Sequence, residues 1–346
     1  MPVALDIGSR VVHLVAGDVS NSKINLKNAR ILKMPIEMTG DDVNRLESLQ
    51  SILITALKDW QLKRENGAIT LSFSRFLLRE LEIPQGKPDE IRQMVRQELV
   101  HFYNVNNNDV IEALHLPGRD LSDGRIAVQG AAINRTVVDD YYHMLHDSGL
   151  RPTIFSMHNC AISALTASKP QINGYATEGN TIVFLDLGME ATLVQVVTDG
   201  QLILSRHLPI GFGELDRIIS AGLERSLEEA AELRQSTFSL DEESISYHTL
   251  NATSKQQLDL FLARLTEELN KIIRFYSSSI GRGSPISRVF IFGAGSEVKG
   301  ILNRLETALN YNIEEIRSFS NINVQSQAKD IPLRHLVNAC GALCLL

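Results

Sequence analysis

Residues 5–8 read Leu-Asp-Ile-Gly, and residues 185–188 read Leu-Asp-Leu-Gly. After each copy polar and apolar residues alternate, the chain turns at a Gly/Asp pair (residues 17–18 or 199–200), and a second alternating run follows. Alternation on both sides of a short turn is typical of a β-hairpin. Because the whole unit recurs in the second half of the chain, the sequence predicts two lobes built on one plan.

The composition fits an ordinary protein of two lobes. The chain has 346 residues, of which 44% are hydrophobic and 22% charged, and a length above 300 residues favours more than one core. The net charge of −7 predicts no nucleic-acid partner and no direct attraction to anionic lipid. We expect no signal peptide, since Asp6 and Arg10 interrupt the first apolar run, and no membrane span. Cys160, Cys340 and Cys344 have neither disulfide nor zinc spacing, so we expect buried thiols in a reducing compartment.

Strands alternate with helices along the chain, which favours an α/β fold with helix-covered sheets. Residues 1–168 are predicted to form the first lobe, with a small inserted subdomain at about 79–155. A Pro- and Gly-containing hinge is expected at 169–180, and the second lobe at 181–346, with the chain end returning toward the first lobe. The Ser/Thr-rich and acidic segment 235–257 is predicted to be a mobile surface insertion.

Apolar periodicity gives the individual elements. It predicts helices starting near residues 43, 88, 138, 226, 258 and 296, strands at 69–73 and 151–157, and buried strands at 125–133 and 288–292.

The two Asp-x-Gly loops are the best candidates for chemistry. A glycine lets backbone N–H groups approach a phosphate, and an aspartate can hold magnesium through water. Asp6 and Asp186 would then close on one triphosphate from two lobes. The alternative is that each loop only shapes the entry to a strand, a common use of Asp and Gly.

Other motifs are weaker. Residues 293–296, Gly-Ala-Gly-Ser, follow a buried strand, and a helix start there would suit a nucleotide. Glu229 fits a capping box with Ser226, and Arg234 one turn later either reaches a nucleoside or is solvated. The sequence offers no Walker motif, no nucleophile motif and no obvious general base.

The order of these motifs resembles the actin-like ATPase superfamily, and within it the PilM family. Residues 5–9 are similar to its first phosphate loop, 185–188 to its second and 291–296 to its adenosine motif. Residues 88–116 resemble the small-subdomain helix and strand that distinguish PilM and FtsA from actin, and 341–343 resemble the family's C-terminal end.

This resemblance implies an actin-like fold, that is, a duplicated ribonuclease H-like fold of two lobes with a small inserted α+β subdomain. It also implies ATP and Mg²⁺ as cofactors, with Asp6 and Asp186 at the metal. Two departures favour weaker nucleotide binding: His13 replaces a usual lysine, and Ala231 replaces a usual glutamate. The implied nucleotide-binding residues are Asp6, Gly8, Ser9, Arg10, Asp186, Gly188, Arg234, Gly293, Gly295 and Ser296.

The resemblance further implies a cytoplasmic adaptor of type IV pilus assembly, located at the inner face of the cell membrane. PilM proteins bind the N-terminal tail of the membrane protein PilN, and pilus assembly ATPases are further expected partners. Met94, Glu98 and Phe102 are predicted to form part of the peptide groove, with core packing the alternative for Met94.

Two other functions stay open at this point. One is a small-molecule kinase of the same superfamily, which would need a positioning residue and a substrate pocket. The other is an FtsA-like filament-forming tether, which would need a basic amphipathic tail, whereas residues 340–346 are apolar and carry no Lys or Arg. We therefore expect a nucleotide-binding adaptor that is at most a slow ATPase.

Overall fold

The computed structural model describes residues 1–34, 43–72, 75–103, 105–106, 108–116, 119, 123–281 and 283–346. Among these residues the strands are β1 (Val3–Ile7), β2 (Val11–Ser20), β3 (Lys23–Lys33), β4 (Asn66–Leu71), β5 (Leu77–Pro84), β6 (Val110–His115), β7 (Arg125–Ile133), β8 (Arg151–Met157), β9 (Gln171–Ile172), β10 (Tyr175–Ala176), β11 (Thr181–Leu187), β12 (Thr192–Thr198), β13 (Gln201–Leu208), β14 (Ile286–Phe292), β15 (Ile313–Glu315) and β16 (Ile322–Val324).

The helices carry most of the remaining described chain. They are α1 (Val43–Asp59), α2 (Pro88–Phe102), α3 (Arg135–Asp147), α4 (Asn159–Thr166), α5 (Gly213–Leu223), α6 (Leu227–Ser236), α7 (Ile245–His248), α8 (Ala252–Phe275), α9 (Ile301–Leu309) and α10 (Leu333–Cys344).

Two large sheets repeat one topology, as the sequence repeat predicts. The first has the order β16-β3-β2-β1-β4-β8, and the second β13-β12-β11-β14-β15. In each, an antiparallel meander (β1–β3 or β11–β13) is extended by parallel strands on the far side of its first strand. The Asp-x-Gly motif lies between the first and second strands of each meander, so the aspartate ends one strand rather than starting the next.

A third, three-stranded sheet of order β5-β7-β6 is covered by α2. Pro88 lies at the start of α2, and the backbone N–H of Lys87 donates to the Glu90 carboxylate at 2.8 Å, which closes the first turn. Val95 and Leu99 are buried against the sheet. This unit spans 77–133, whereas β8 pairs with β4 of the first sheet. The predicted division into 1–168, 79–155, 169–180 and 181–346 stays a prediction.

The two lobes share one hydrophobic cluster. It joins Ala4 and Val15 of the first sheet to Ile182 and Phe184 of the second, with α10 packed among them. Helices α4 and α10 cross so closely that a Cβ on Gly341 would lie 2.4 Å from the Cα of Ala161. The chain end therefore packs against the first lobe as well as the second, and β16 pairs with β3.

Most predicted elements are confirmed, and two predictions are wrong. Strands at 125–133 and 151–157 have the predicted bounds, and the strand near 69–73 is β4, with Phe73 outside the described residues. The segment 235–257 is not a surface insertion, because Phe238, Leu240 and Leu250 are buried in the core of the second lobe.

The second wrong prediction is the helix at residue 296. A short 3₁₀ turn occupies Ala294–Glu297, and α9 begins only at Ile301. Gly300, in the left-handed region at φ 86°, precedes that start. No helix N-terminus therefore lies behind the Gly-Ala-Gly-Ser motif.

Candidate functional site

The carboxyl ends of parallel strands from both large sheets meet at one cleft. Asp6 lies near the end of β1, and His158 follows β8 directly, while Asp186 lies near the end of β11 and Gly293 follows β14. Ligands of α/β proteins bind at such strand ends, because the following loops converge there. The cleft between the lobes is thus the candidate site.

Asp6 is held by two histidines. Its carboxylate oxygens lie 3.0 Å from His13 Nδ1 and 2.7 Å from His158 Nε2. His13 is the cross-strand neighbour of Asp6 in the β1–β2 hairpin. Burial alone would raise the pKa of Asp6, but the charge of His158 and the hydrogen bonds from both rings hold it well below its ordinary value. Burial opposes protonation of His158, yet Asp6 raises the pKa of this imidazole.

Asp186 faces the same imidazole from the second lobe. His158 Nδ1 lies 3.8 Å from an Asp186 carboxylate oxygen, and Asn338 Nδ2 donates to that oxygen at 2.9 Å. Burial raises the pKa of Asp186, with His158 and Asn338 opposing the rise. His158 therefore stands between two buried carboxylates and supplies a positive charge to both when protonated.

The loops around these carboxylates line a partly open cavity, whose empty space is about 640 Å³ when the open solvent at its mouth is included. A Cβ on Gly8 would lie 2.9 Å from the carbonyl oxygen of Val11, and one on Gly188 2.7 Å from that of Ala191, so both copies make the same tight turn. Gly293 has φ 82°, and a Cβ there would lie 2.3 Å from Asp186 Oδ1. Only glycine fits this approach. The predicted residues that line the cavity are Asp6, Gly8, Ser9, Arg10, Asp186, Gly188 and Gly293.

The other three predicted nucleotide residues do not line this cavity. Ser296 is buried, and its hydroxyl donates to the Gly293 carbonyl at 2.7 Å, while Gly295 packs against the Phe212 ring. Arg234 is 3% exposed and donates through Nε to Asp216 Oδ1 at 2.6 Å and through Nη1 to the Ala294 carbonyl at 3.1 Å. Arg234 lines a neighbouring pocket, but its guanidinium is used within the protein. Glu229 caps α6, as its capping-box pattern predicts.

That neighbouring pocket lies between α6 and the β2–β3 hairpin. Its empty space is about 1510 Å³ when the open solvent at its mouth is included. Glu228, Ala231, Glu232 and Gln235 line it from one face of α6, at the spacing that puts residues on one helical stripe. Opposite them are apolar residues of the first lobe, with Met34 among them. The arrangement offers an apolar wall and polar groups, which suits a nucleoside.

Magnesium fits this site only in a restricted way. Asp6 and Asp186 present one carboxylate from each lobe, but each is already hydrogen-bonded within the protein. Among the described residues no cluster of three or more His, Cys, Asp or Glu side chains could hold a metal ion by itself. The donor set therefore suits a magnesium ion that would arrive with the phosphates of a nucleotide, and Asp6 and Asp186 would then interact with it through water.

A polar groove lies beside the small sheet, on the side of β5. Its walls include Glu98 and Phe102 of α2 and Arg79 of β5, whose guanidinium lies 3.1 Å above the Phe102 ring centroid. Met94, the third predicted groove residue, is not in these walls; it packs against the core of the small subdomain. Strand β5 is at the edge of its sheet, so the groove follows a strand edge.

Sequence reasoning missed His158, Asn338, His335 and Asp216. His158 stood in the sequence directly after a predicted strand, which is the one signal that marked it. Asn338 and His335 lie on α10, a helix that the sequence analysis did not predict, and their approach to the site depends on how α10 packs against the sheets.

A protein-family model described as type IV pilus assembly protein PilM matches residues 4–343. A solved structure titled PilM–PilN type IV pilus biogenesis complex shares 19% identity with the chain, with a TM-score of 0.80 over 99% of this chain and 97% of that one. MreB 5 of Spiroplasma citri bound to AMPPNP gives 10% identity and a TM-score of 0.52, covering 97% and 94%. The ethanolamine utilization protein EutJ from Carboxydothermus hydrogenoformans gives 12% and 0.52, covering 99% and 88%. No curated protein sequence matches the chain.

These likenesses confirm the predicted actin-like fold of two lobes. Within the described part of the chain, no helix is both long and apolar enough to span a bilayer.

Proposed function

The chain belongs to the PilM family of type IV pilus assembly proteins, and on that premise we propose that it is an ATP-binding adaptor for the tail of a PilN-like membrane protein. One observation carries the nucleotide half of the proposal: two equivalent Asp-x-Gly loops, one from each lobe, face each other across a single cavity. The glycine turn at Gly293 and the pocket beside α6 extend that cavity in the direction a nucleoside would take.

The residues have distinct roles in this proposal. Backbone N–H groups of the loops that follow Gly8 and Gly188 donate to phosphate oxygens, and Ser9 and Arg10 add side-chain donors. Asp6 and Asp186 would hold the water around a magnesium ion bound with the triphosphate, and that ion would neutralise part of the phosphate charge. His158 fixes both carboxylates, so the loops keep their spacing when the ligand leaves.

Binding rather than turnover is favoured by the state of the two carboxylates. A kinase or ATPase needs a group that accepts a proton or orients the attacking oxygen. Both oxygens of Asp6 are engaged by histidines, and Asp186 by Asn338. We therefore expect hydrolysis far below about 1 per second, the lower end of typical enzymes.

The nucleotide proposal is tested by calorimetric titration of the full chain with Mg-ATP. Asp6→Ala and Asp186→Ala should each weaken Mg-ATP binding at least about tenfold, since each removes a carboxylate that would hold the water around the magnesium ion of the triphosphate. Asp18→Ala is the matched control, because Asp18 is exposed and pairs with Lys27 on the surface of the first hairpin. Wild-type protein that binds no ATP at millimolar concentration, or that hydrolyses it rapidly, would contradict the proposal.

The tail half of the proposal is supported by the groove beside β5. An edge strand leaves backbone N–H and C=O groups for an extended peptide, and side-chain pockets then select its sequence. Glu80 and Glu82 in this groove pair with Arg119 and Arg125. Glu98 is exposed there, which favours a basic or amide side chain in the tail.

This function places the protein in the cytoplasm, at the inner face of the membrane and attached through its partner. A pull-down from membranes with the full chain as bait should recover a PilN-like protein, with pilus assembly ATPases as further candidates. Recovery that does not depend on the groove residues would move the binding surface elsewhere on the protein.

A further inference from the structure

Arg10 crosses the cleft at the tip of the first Asp-x-Gly loop. Its guanidinium bonds to Asp216 Oδ2, and Asp216 belongs to α5 in the second lobe. The backbone of Arg10 is fixed in the first lobe, where its carbonyl accepts from the Met34 N–H at 2.8 Å. The pair is therefore a latch between the two lobes, made by one residue of the phosphate loop.

The latch stands where a ligand would enter. Arg10 lines the phosphate cavity, the pocket beside α6 and a third cavity bounded by Pro209 and Arg217. The Arg10 side chain is 20% exposed, whereas that of Asp216 is fully buried. Of the two side chains, only that of Arg10 is partly exposed to the cleft, where its positive charge can attract an anion.

Asp216 can release Arg10 at low cost because it has a second guanidinium. Its Oδ1 accepts from Arg234 at 2.6 Å, and Arg234 is itself buried and tied to Ala294. Breaking a buried ion pair costs most when it leaves a charge without a partner. Here the carboxylate would keep the charge of Arg234 after Arg10 leaves.

A polyphosphate is a strong competitor for that guanidinium. Arg binds phosphate through two parallel N–H donors, and such charge-assisted bonds are about twice as strong as neutral ones. We infer that Arg10 is exchanged between Asp216 and the phosphates of a bound nucleotide, so that the ligand opens the latch between the lobes. The inference rests on the proposed nucleotide binding and deepens it: Asp216 is a competitor of the ligand and sets its affinity.

The test is calorimetric titration of the full chain with three probes: ATP, inorganic tripolyphosphate and adenosine. Arg10→Met should weaken ATP and tripolyphosphate about tenfold and leave adenosine within about twofold, because only the phosphate contact is lost. Asp216→Asn should strengthen ATP and tripolyphosphate several-fold, because Arg10 no longer has a competing charge. Arg264→Met is the control. Arg264, on α8, pairs with Glu214 on α5, the helix that also carries Asp216, but Arg264 lines none of the three cavities.

The outcomes separate the latch from the proposed function. Wild-type protein that binds ATP together with an Arg10→Met variant of unchanged tripolyphosphate affinity overturns the latch alone. Failure of both wild type and Asp216→Asn to bind ATP overturns the latch and the proposed function together. Binding of ATP by Asp216→Asn but not by wild type overturns both as well, because the ligand then does not open the latch in the wild-type protein. If Asp216→Asn does not fold, Arg10→Lys is the deciding variant. Because it keeps the positive charge, it should bind tripolyphosphate more tightly than Arg10→Met does. Equal tripolyphosphate affinity of the two variants would mean that the pair is purely structural and would overturn the latch.

Discussion

Glu297 and His335 form an ion pair at the edge of the pocket beside α6, with Nε2 3.0 Å from Oε1. Burial opposes ionisation of Glu297, but the hydrogen bond and charge of His335, aided by Arg234 and Arg334, lower the pKa of this carboxyl below its ordinary value of 4.5. A carboxyl whose pKa is lowered by folding stabilises the folded state at pH values above its ordinary pKa. That contribution is lost as the pH falls through the lowered value.

Glu297→Gln should therefore reduce the free energy of unfolding by about 1 kcal/mol near pH 6. The difference from wild type should shrink as the pH falls below 4.5. Urea unfolding across that range measures it. Glu242→Gln, which removes an exposed ion pair with Arg304, is the control and should cost less than about 0.5 kcal/mol. A Glu297→Gln difference that grows toward acid pH would contradict the assignment.

At the residue scale the sequence predicted the two aspartates of the site but not the side chains that hydrogen-bond to them. Asp6 and Asp186 were visible because each lies in a repeated motif. His158 reaches Asp6 only because β1, β4 and β8 run parallel in register, which aligns their ends. Arg234 was predicted either to reach a nucleoside or to be solvated. It is not solvated, because its guanidinium is buried and donates to Asp216, and its place at the ligand stays a prediction.

At the element scale, α2 and β5 make the groove on which the partner proposal depends. Glu98→Ala and Phe102→Ala should each weaken binding of a labelled PilN-like N-terminal peptide by roughly 1–3 kcal/mol, since few buried anchors carry the affinity of a disordered tail. Val100→Ala is the matched control, because Val100 is an exposed residue of the same helix outside the groove walls. ATP affinity should be unchanged in all three variants.

Circular dichroism must show that each variant keeps its helix content. Folded variants with wild-type peptide affinity would move the tail to another surface. Loss of folding in Phe102→Ala would assign this side chain, with Arg79 stacked on it, to the stability of the subdomain instead.

Elements with a clear period were predictable, and those with a mixed pattern were not. Strand β7 and helix α6 have strong signals, the first in its apolar run and the second in its capping box. Phe238, Leu240 and Leu250 are buried from loop positions between α6, α7 and α8, so they follow neither a helical nor a strand period. A periodic hydrophobic pattern identifies buried faces of helices and strands, but it cannot identify single apolar residues that are buried from a loop.

At the scale of the whole molecule, the site exists only because the two lobes share a core. His158 is the N-cap residue of α4, and Asn338 belongs to α10. Both helices pack between the sheets. Contacts of this kind join residues far apart in sequence, which a pattern along the chain does not report. The repeat predicted that two lobes face each other, whereas the shared cluster fixes how closely they do.

The shared core predicts that the lobes unfold together. Trp60 is the one tryptophan of the chain and packs in the first lobe, so its fluorescence reports that lobe. Leu265 is fully buried in the core of the second lobe, and Leu265→Ala should cost roughly 2–5 kcal/mol. Because the cluster around α10 joins both sheets, we expect Leu265→Ala to lower the urea midpoint of Trp60 fluorescence and of circular dichroism by the same amount. Leu53→Ala in α1 should shift both signals as well, and Leu260→Ala, at an exposed position of α8, should shift neither by much. If Leu265→Ala moved only the dichroism and left the Trp60 transition in place, the lobes would be independent folding units and the shared cluster would not couple them.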